Sequence, residues 1–137
     1  MKIMRSLFLL PLLIGFSGSA FADSETFKIE VSAEGYSDYI LSGTDRNGSV
    51  SGNDPTVTVN KGDTIIFDIY ASGHPFYIKT EFSRGGGDQV TTGIFSGTPG
   101  TQNGTLSWNT KELSKGKYYY VCSPHASFGM GGSIIIE

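Results

Sequence analysis

The stretch "TVTVNKGDTIIFDIYA" (residues 56–71) alternates Val57 and Val59 with threonines, turns at "NKGD", and then sets Ile65, Phe67, Ile69 and Ala71 on one face. A period of two in β-branched and aromatic residues, broken by a Gly/Asn/Asp turn, predicts two short strands and not a helix. The same signature recurs on both sides of it. "TFKIEVS" (26–32), "DYILSG" (38–43), "FYIKTEF" (76–82), "GTLSW" (104–108), "KYYYVC" (117–122) and "SIIIE" (133–137) read as further strands. Helix is confined at most to a turn around "NTKEL" (109–113). Seven to eight short strands with frequent turns predict an all-β fold, an antiparallel Greek-key β-sandwich or flattened barrel. Two connections stand out. "GTDRNGSVSGNDP" (43–55) reads as a polar loop, and "SRGGGDQVTTGIFSGTPGTQNG" (83–104) is too long for a simple hairpin. A connection of that length either covers a sheet edge or binds a partner. No strand-to-helix transition follows its "GGG", so it is not a phosphate loop.

The first 22 residues read as a secretory signal peptide. Lys2 and Arg5 precede an apolar run from Leu7 to Phe16, and Ala20-Phe21-Ala22 is a small-x-small cleavage site. The run is too short to span a bilayer, and nothing downstream is apolar enough to do so. The expected division is therefore 1–22 signal peptide and 23–137 one domain, long enough to bury a core without disulfide staples. The short apolar run and the Ala-x-Ala site suit a bacterial export signal, which places the domain in the periplasm. Without Lys2 and Arg5, eight basic residues face thirteen acidic ones, a formal charge of −5. No basic stripe remains to hold nucleic acid or an anionic membrane surface. In an oxidising compartment a single cysteine implies either intermolecular pairing or a thiol with a chemical task.

That cysteine lies in "YYYVCSPHASFGMGG" (118–132). The soft donors after residue 22 are His74, Cys122, His125 and Met130, with no others. Taken singly, each has a plain structural explanation: a buried thiol, a hydrogen-bonded imidazole, a thioether filling a gap. Together, two imidazoles, one thiolate and one thioether are the donor set of a blue copper centre, a His2Cys plane with a weak axial Met. Zinc would want more Cys or His, or a carboxylate, in a closed tetrahedron. Alternation puts Tyr118, Tyr120 and Cys122 on one inward face, leaving Tyr119 and Val121 facing outward or toward the neighbouring sheet. "SPHASFGM" would then loop over the end of the sandwich, with His74 arriving from the end of another strand.

"CSPHASFGM" resembles the ligand loop of the plastocyanin-like cupredoxins, type 1 blue copper proteins: Cys, two residues, His, four residues, Met, with Pro before the His. The resemblance extends to the "KGD" turn before an apolar strand, the isolated upstream His, the aromatic strand into the Cys and the final strand after the Met. "SGHPFYIKT" is similar to cupredoxin-like domains in which His-Pro-Phe opens a strand. The resemblance implies a cupredoxin-like sandwich holding one Cu(I)/Cu(II) ion per chain, with His74, Cys122 and His125 as equatorial ligands and Met130 axial. One departure stands out: the residue after the upstream His is usually Asn, whose backbone N–H points at the thiolate, and here it is Pro75, which has none.

Four protein ligands leave no open position, so a one-electron carrier is expected and not an enzyme. The expected exit is the edge of His125, framed by Pro124, Ala126, Phe128 and nearby glycines, where redox proteins such as a c-type cytochrome or a copper enzyme would dock transiently. Such a carrier needs no oligomer and is expected to be a monomer. The other readings compatible with the residues are a copper-handling protein, a small copper enzyme or sensor with Met130 displaced, and a metal-free binding domain on the same fold.

Overall fold

The computed structural model describes residues 23–137, together with Pro11 and Gly15. The signal-peptide reading of residues 1–22 otherwise lies outside the described residues. Ten strands carry the described chain: β1 (Thr26–Glu34), β2 (Asp38–Asp45), β3 (Gly48–Asn53), β4 (Val57–Val59), β5 (Thr64–Tyr70), β6 (Phe76–Lys79), β7 (Ile94–Ser96), β8 (Asn103–Asn109), β9 (Gly116–Cys122) and β10 (Gly131–Ile136). They form a six-stranded sheet in the order β3-β2-β1-β5-β8-β7 and a four-stranded sheet in the order β4-β10-β9-β6. Among the described residues no helix is long and apolar enough to cross a membrane.

The period of two in the sequence is what closes the two sheets on each other. Ile65, Phe67 and Ile69 of β5 are buried beside Ile29 and Val31 of β1 and Leu106 and Trp108 of β8. Val57, Val59, Ile78, Tyr118, Tyr120 and Ile134 meet them from the smaller sheet. Alternate residues of one face filling the space between two sheets is the sandwich rule.

Several expectations need correction. The sandwich is mixed, not purely antiparallel, because β1 lies parallel to β5 and β4 parallel to β10. β1 and β5 begin at the same pole, and the chain between them runs through β2 and β3 before crossing to β4 in the other sheet. The segment 43–55 is no loop: β2 and β3 form a hairpin in register from Ile40↔Asn53 to Asp45↔Gly48. It reads as polar because β3 is an edge strand whose buried residue is Val50. The segment 83–104 is partly sheet. β7 pairs with β8, and isolated bridges tie Gln89 to Lys79 and Thr101 to Phe76 along the open side of β6. Its role here is to cover sheet edges, which would otherwise offer unpaired backbone to other chains. The buried Lys79 stitches its first turn, its ammonium donating to Ser83 O (2.6 Å), Ser83 Oγ (2.8 Å) and Gly85 O (2.7 Å) and pairing with Asp88 (2.8 Å). After β8, residues 110–113 form only a turn; the helix of the domain is a 3-10 helix at Ser123–Phe128. Val121 does not face outward into water but is fully buried. Its cross-strand partner Gly131 sits under Phe82, which also meets Tyr119 edge-on.

The "KGD" turn is held by Asp63. Its carboxylate is fully buried and accepts from Asn60 N (2.7 Å), Glu25 N (2.9 Å) and the Arg46 guanidinium, Nε and a terminal nitrogen both at 2.8 Å. Arg46 reaches on to the Asp23 carbonyl (2.7 Å), so the start of the domain is fixed at this pole. Burial pushes the Asp63 carboxyl up, but Arg46 and the two amides outweigh it and hold it below the ordinary carboxylate range. A carboxylate with a depressed folded value stabilises the fold above its unfolded value of about 3.9, and that contribution is lost as pH falls through the folded one. Asp63→Asn is therefore expected to melt well below the parent at pH 7, with the gap narrowing as the melts are taken from pH 5 toward pH 3. A gap independent of pH would contradict this account. At the other pole β10 opens at Gly131, φ +147, where an added Cβ would strike the Tyr120 carbonyl. Gly129, φ +82, has open space around it. Gly131→Ala should lower stability by more than ~2 kcal/mol, and Gly129→Ala by only ~1 kcal/mol; denaturant melts of the two variants check the order.

Candidate metal centre

The centre is built where β9 ends. Cys122 pairs with Phe76 across the β6–β9 ladder, so His74 lies only two residues upstream of the cysteine's neighbour. His74 is reached through a tight turn after β5, closed by its own N–H to Ala71 O (2.9 Å) and anchored by Gly73 N to Gln102 Oε1 (2.7 Å). On the other side the chain enters the 3-10 helix with Pro124 in its first turn, where the missing N–H costs nothing. Gly129 ends that helix in the left-handed region, φ 82 and ψ 12. The loop then closes on itself: Met130 N meets His125 O at 3.4 Å, and Cys122 N donates to Met130 O at 3.1 Å. Met130 is fully buried, whereas His74 and His125 are half-buried.

His74, Cys122 and His125 form the group of ligating side chains that could hold a metal ion among the described residues. Cys122 Sγ lies 3.6 Å from His74 Nδ1 and 3.4 Å from His125 Nδ1, and the two nitrogens are 3.1 Å apart. A triangle with those sides has a centre about 2 Å from each corner, the bonding distance of imidazole and thiolate to a first-row metal ion. The donor chemistry fits as well. Burial, then the neighbouring His125, pull His74 below the ordinary histidine value, so its nitrogen keeps a free lone pair. Burial pushes the Cys122 thiol up, while the His125 backbone N–H and the Tyr39 hydroxyl pull it back. A thiol so placed is protonated until a cation takes the proton's place. The residues present therefore fit a single type 1 copper ion, and the sequence-predicted set of His74, Cys122, His125 and Met130 is brought to one pole.

Two aromatic residues lie against the centre: Phe128, which the sequence already places beside His125, and Tyr36, which no motif marks. Tyr36, in the turn between β1 and β2, is 67% exposed and lays its ring 4.9 Å from that of His125 and 6.2 Å from that of His74. Phe128, also exposed, has its ring 6.1 Å from that of His125. Beneath the site, Tyr39 of β2 is fully buried and its hydroxyl donates to the His74 carbonyl at 2.8 Å. Asp54, at φ 46, ties this layer to the ligand loop by accepting from Tyr39 N (2.9 Å) and Gly131 N (3.0 Å).

A family model described as copper-binding proteins of the plastocyanin/azurin family matches residues 40–137. Among solved structures, rusticyanin from Thiobacillus ferrooxidans superposes with a TM-score of 0.53 at 19% identity, covering 84% of this chain and 79% of that one. A rusticyanin variant with methionine replaced by leucine gives a TM-score of 0.53 at 18% identity, with the same coverage of 84% and 79%. At such identities the likeness is one of fold. Direct sequence comparison with curated proteins finds no match. The family match spans β2 to the end of β10 and contains all four candidate ligands, and this chain belongs to the plastocyanin/azurin family of copper-binding proteins, the cupredoxins.

Proposed function

We propose that this chain is a type 1 blue copper protein that carries single electrons between redox partners in the periplasm. His74, Cys122 and His125, together with Met130, would hold the ion. The observation that carries the reading is the closing of three donor atoms around a point about 2 Å from each, with Met130 sealed inside the same loop. The bound ion supplies the one-electron couple. The protein's part is to hold two imidazoles and a thiolate in one arrangement that suits both oxidation states, so that little has to move on electron transfer. The backbone bonds that close the His74 turn and the His125–Met130 loop support that role, and a site walled by four side chains leaves no position for a substrate. Export to the periplasm is supported by the basic, apolar and Ala-x-Ala pattern of residues 1–22.

His125 is the exit. Its imidazole has two exposed aromatic rings beside it, Tyr36 at 4.9 Å and Phe128 at 6.1 Å. Rings of that kind supply contact area at little entropic cost, which suits a brief encounter with a redox protein such as a c-type cytochrome or a copper enzyme. The charge of −5 after signal removal steers toward a basic partner, more weakly as salt rises.

Copper-loaded protein is expected to show intense visible thiolate-to-Cu(II) absorption and small copper hyperfine coupling in EPR, with one copper by metal analysis. Cys122→Ser should abolish the absorption. A colourless Cu(II) form, or Cu(I) that exchanges freely while electrons do not, would replace the carrier with a copper-handling protein. Phe128→Ala should leave the spectrum unchanged and slow electron exchange with a cytochrome about tenfold; an unchanged rate would move the docking surface away from His125.

A further inference from the structure

We propose that Tyr39 is a positioning residue of the copper centre: its one hydroxyl proton, given to the His74 carbonyl in the metal-free protein, turns to the Cys122 sulfur once that sulfur is a thiolate, in place of the amide that Pro75 lacks. The inference rests on the type 1 copper reading and deepens it. The geometry begins with the peptide between His74 and Pro75. Its carbonyl accepts the Tyr39 hydroxyl at 2.8 Å, and its nitrogen carries no proton, so the side of His74 that faces the sulfur has no amide to offer. The next residue, Phe76, is no substitute, because its N–H is committed to Thr101 O at 3.1 Å. Phe76 is also the strand partner of Cys122, and the Tyr39 ring meets the Phe76 ring edge-on at 5.4 Å. Tyr39 therefore reaches into the corner between His74 and Cys122 from the opposite sheet, with His74 Nδ1 only 3.6 Å from Sγ.

The ring cannot swing away. It is fully buried, packed on Phe76 and 6.2 Å from Tyr120, and its own backbone N–H is held by Asp54. A hydroxyl has one proton and a free rotor. A thiolate, charged once its own proton has gone, is a stronger acceptor than a neutral carbonyl. Hydrogen bonding to the sulfur neutralises part of its charge, weakens its donation to Cu(II) and raises the potential.

The test uses Tyr39→Phe, which removes one oxygen and keeps the ring, Pro75→Asn, which restores an N–H, and the double variant. In copper-loaded Tyr39→Phe the ratio of Cu(I) to Cu(II) affinity is expected to fall several-fold, a tenfold fall being 59 mV in potential, with a shifted thiolate charge-transfer band. Pro75→Asn should raise the ratio alone and restore most of it in the Tyr39→Phe background, a rescue that general loosening of the core would not produce. In metal-free protein the Tyr39 hydroxyl proton should be visible by NMR as a slowly exchanging signal. An unchanged ratio and band in Tyr39→Phe, or no rescue by Pro75→Asn in the double variant, would overturn the inference. If Tyr39→Phe does not fold, 3-fluorotyrosine placed at position 39, a stronger donor of the same shape, must raise the ratio, and a ratio that stays put overturns it equally. Parent protein that takes up no copper would defeat the carrier reading itself; normal copper loading with a potential deaf to position 39 defeats this inference alone.

Discussion

The ladder register at the end of β9 governs the centre. Cys122 faces the interior because Tyr118 and Tyr120, four and two residues earlier, are core residues, and a slip of one residue would turn all three to the other face. The same register sets Phe76 beside Cys122, which brings His74 to the sulfur from two residues away. On the far side, β10 pairs Gly131 with Val121, and the amide of Cys122 closes on Met130. Strand pairing gathers the candidate ligands at one point. The buried aromatic stripe of β9 is thus both the core of the smaller sheet and the device that aims the thiol.

Rigidity around this point has separate local causes. Pro124 removes a donor where the 3-10 helix has no use for one, Gly129 supplies the left-handed residue that ends it, and Gly131 lets β10 approach the Tyr120 carbonyl. None of these residues is a candidate ligand, yet each narrows where His125 and Met130 can be. The opposite pole is secured differently, by the Arg46–Asp63 pair and the amides around it. With its carboxylate filled by four donors, that cluster closes the sandwich at the end away from the candidate metal centre.

The candidate ligands were easy to pick out because soft donors are scarce in this chain: one thiol, two imidazoles and one methionine after residue 22 leave little to choose from. The strands were legible where one face is buried, as in β5 and β9, and failed where it is not. β3 offers a single buried valine, so alternation says nothing there, although "RNG" at 46–48 is a hairpin signal of the Asn-Gly type that could have found it. The parallel pairing of β1 with β5 has no local signature at all, since it depends on which sheet the chain crosses to at β4. The same holds for Lys79, a charged residue in a strand that reads as solvent-facing. Its burial follows from the carbonyls of Ser83 and Gly85 and the Asp88 carboxylate, which reach it only once the 83–104 segment has folded back along β6.

The β1–β2 hairpin carries the same lesson into the site. It contributes no candidate ligand, and nothing in "EGYSDY" (34–39) marks it as part of a metal centre. Yet its turn lays Tyr36 over His125 from outside, and three residues later Tyr39 meets the His74 carbonyl from inside. The spacing spans the passage from turn to strand, so one tyrosine stays in water while the next enters the core. A single hairpin thereby reaches both histidines, the His125 ring from outside and the His74 carbonyl from inside. Motion of this hairpin would change access to His125 and the hydrogen bonding of His74 together. The amide of Tyr39, pinned by the carboxylate that also holds Gly131, ties that hairpin to the far end of the ligand loop and makes the two sheets hold the centre as one body.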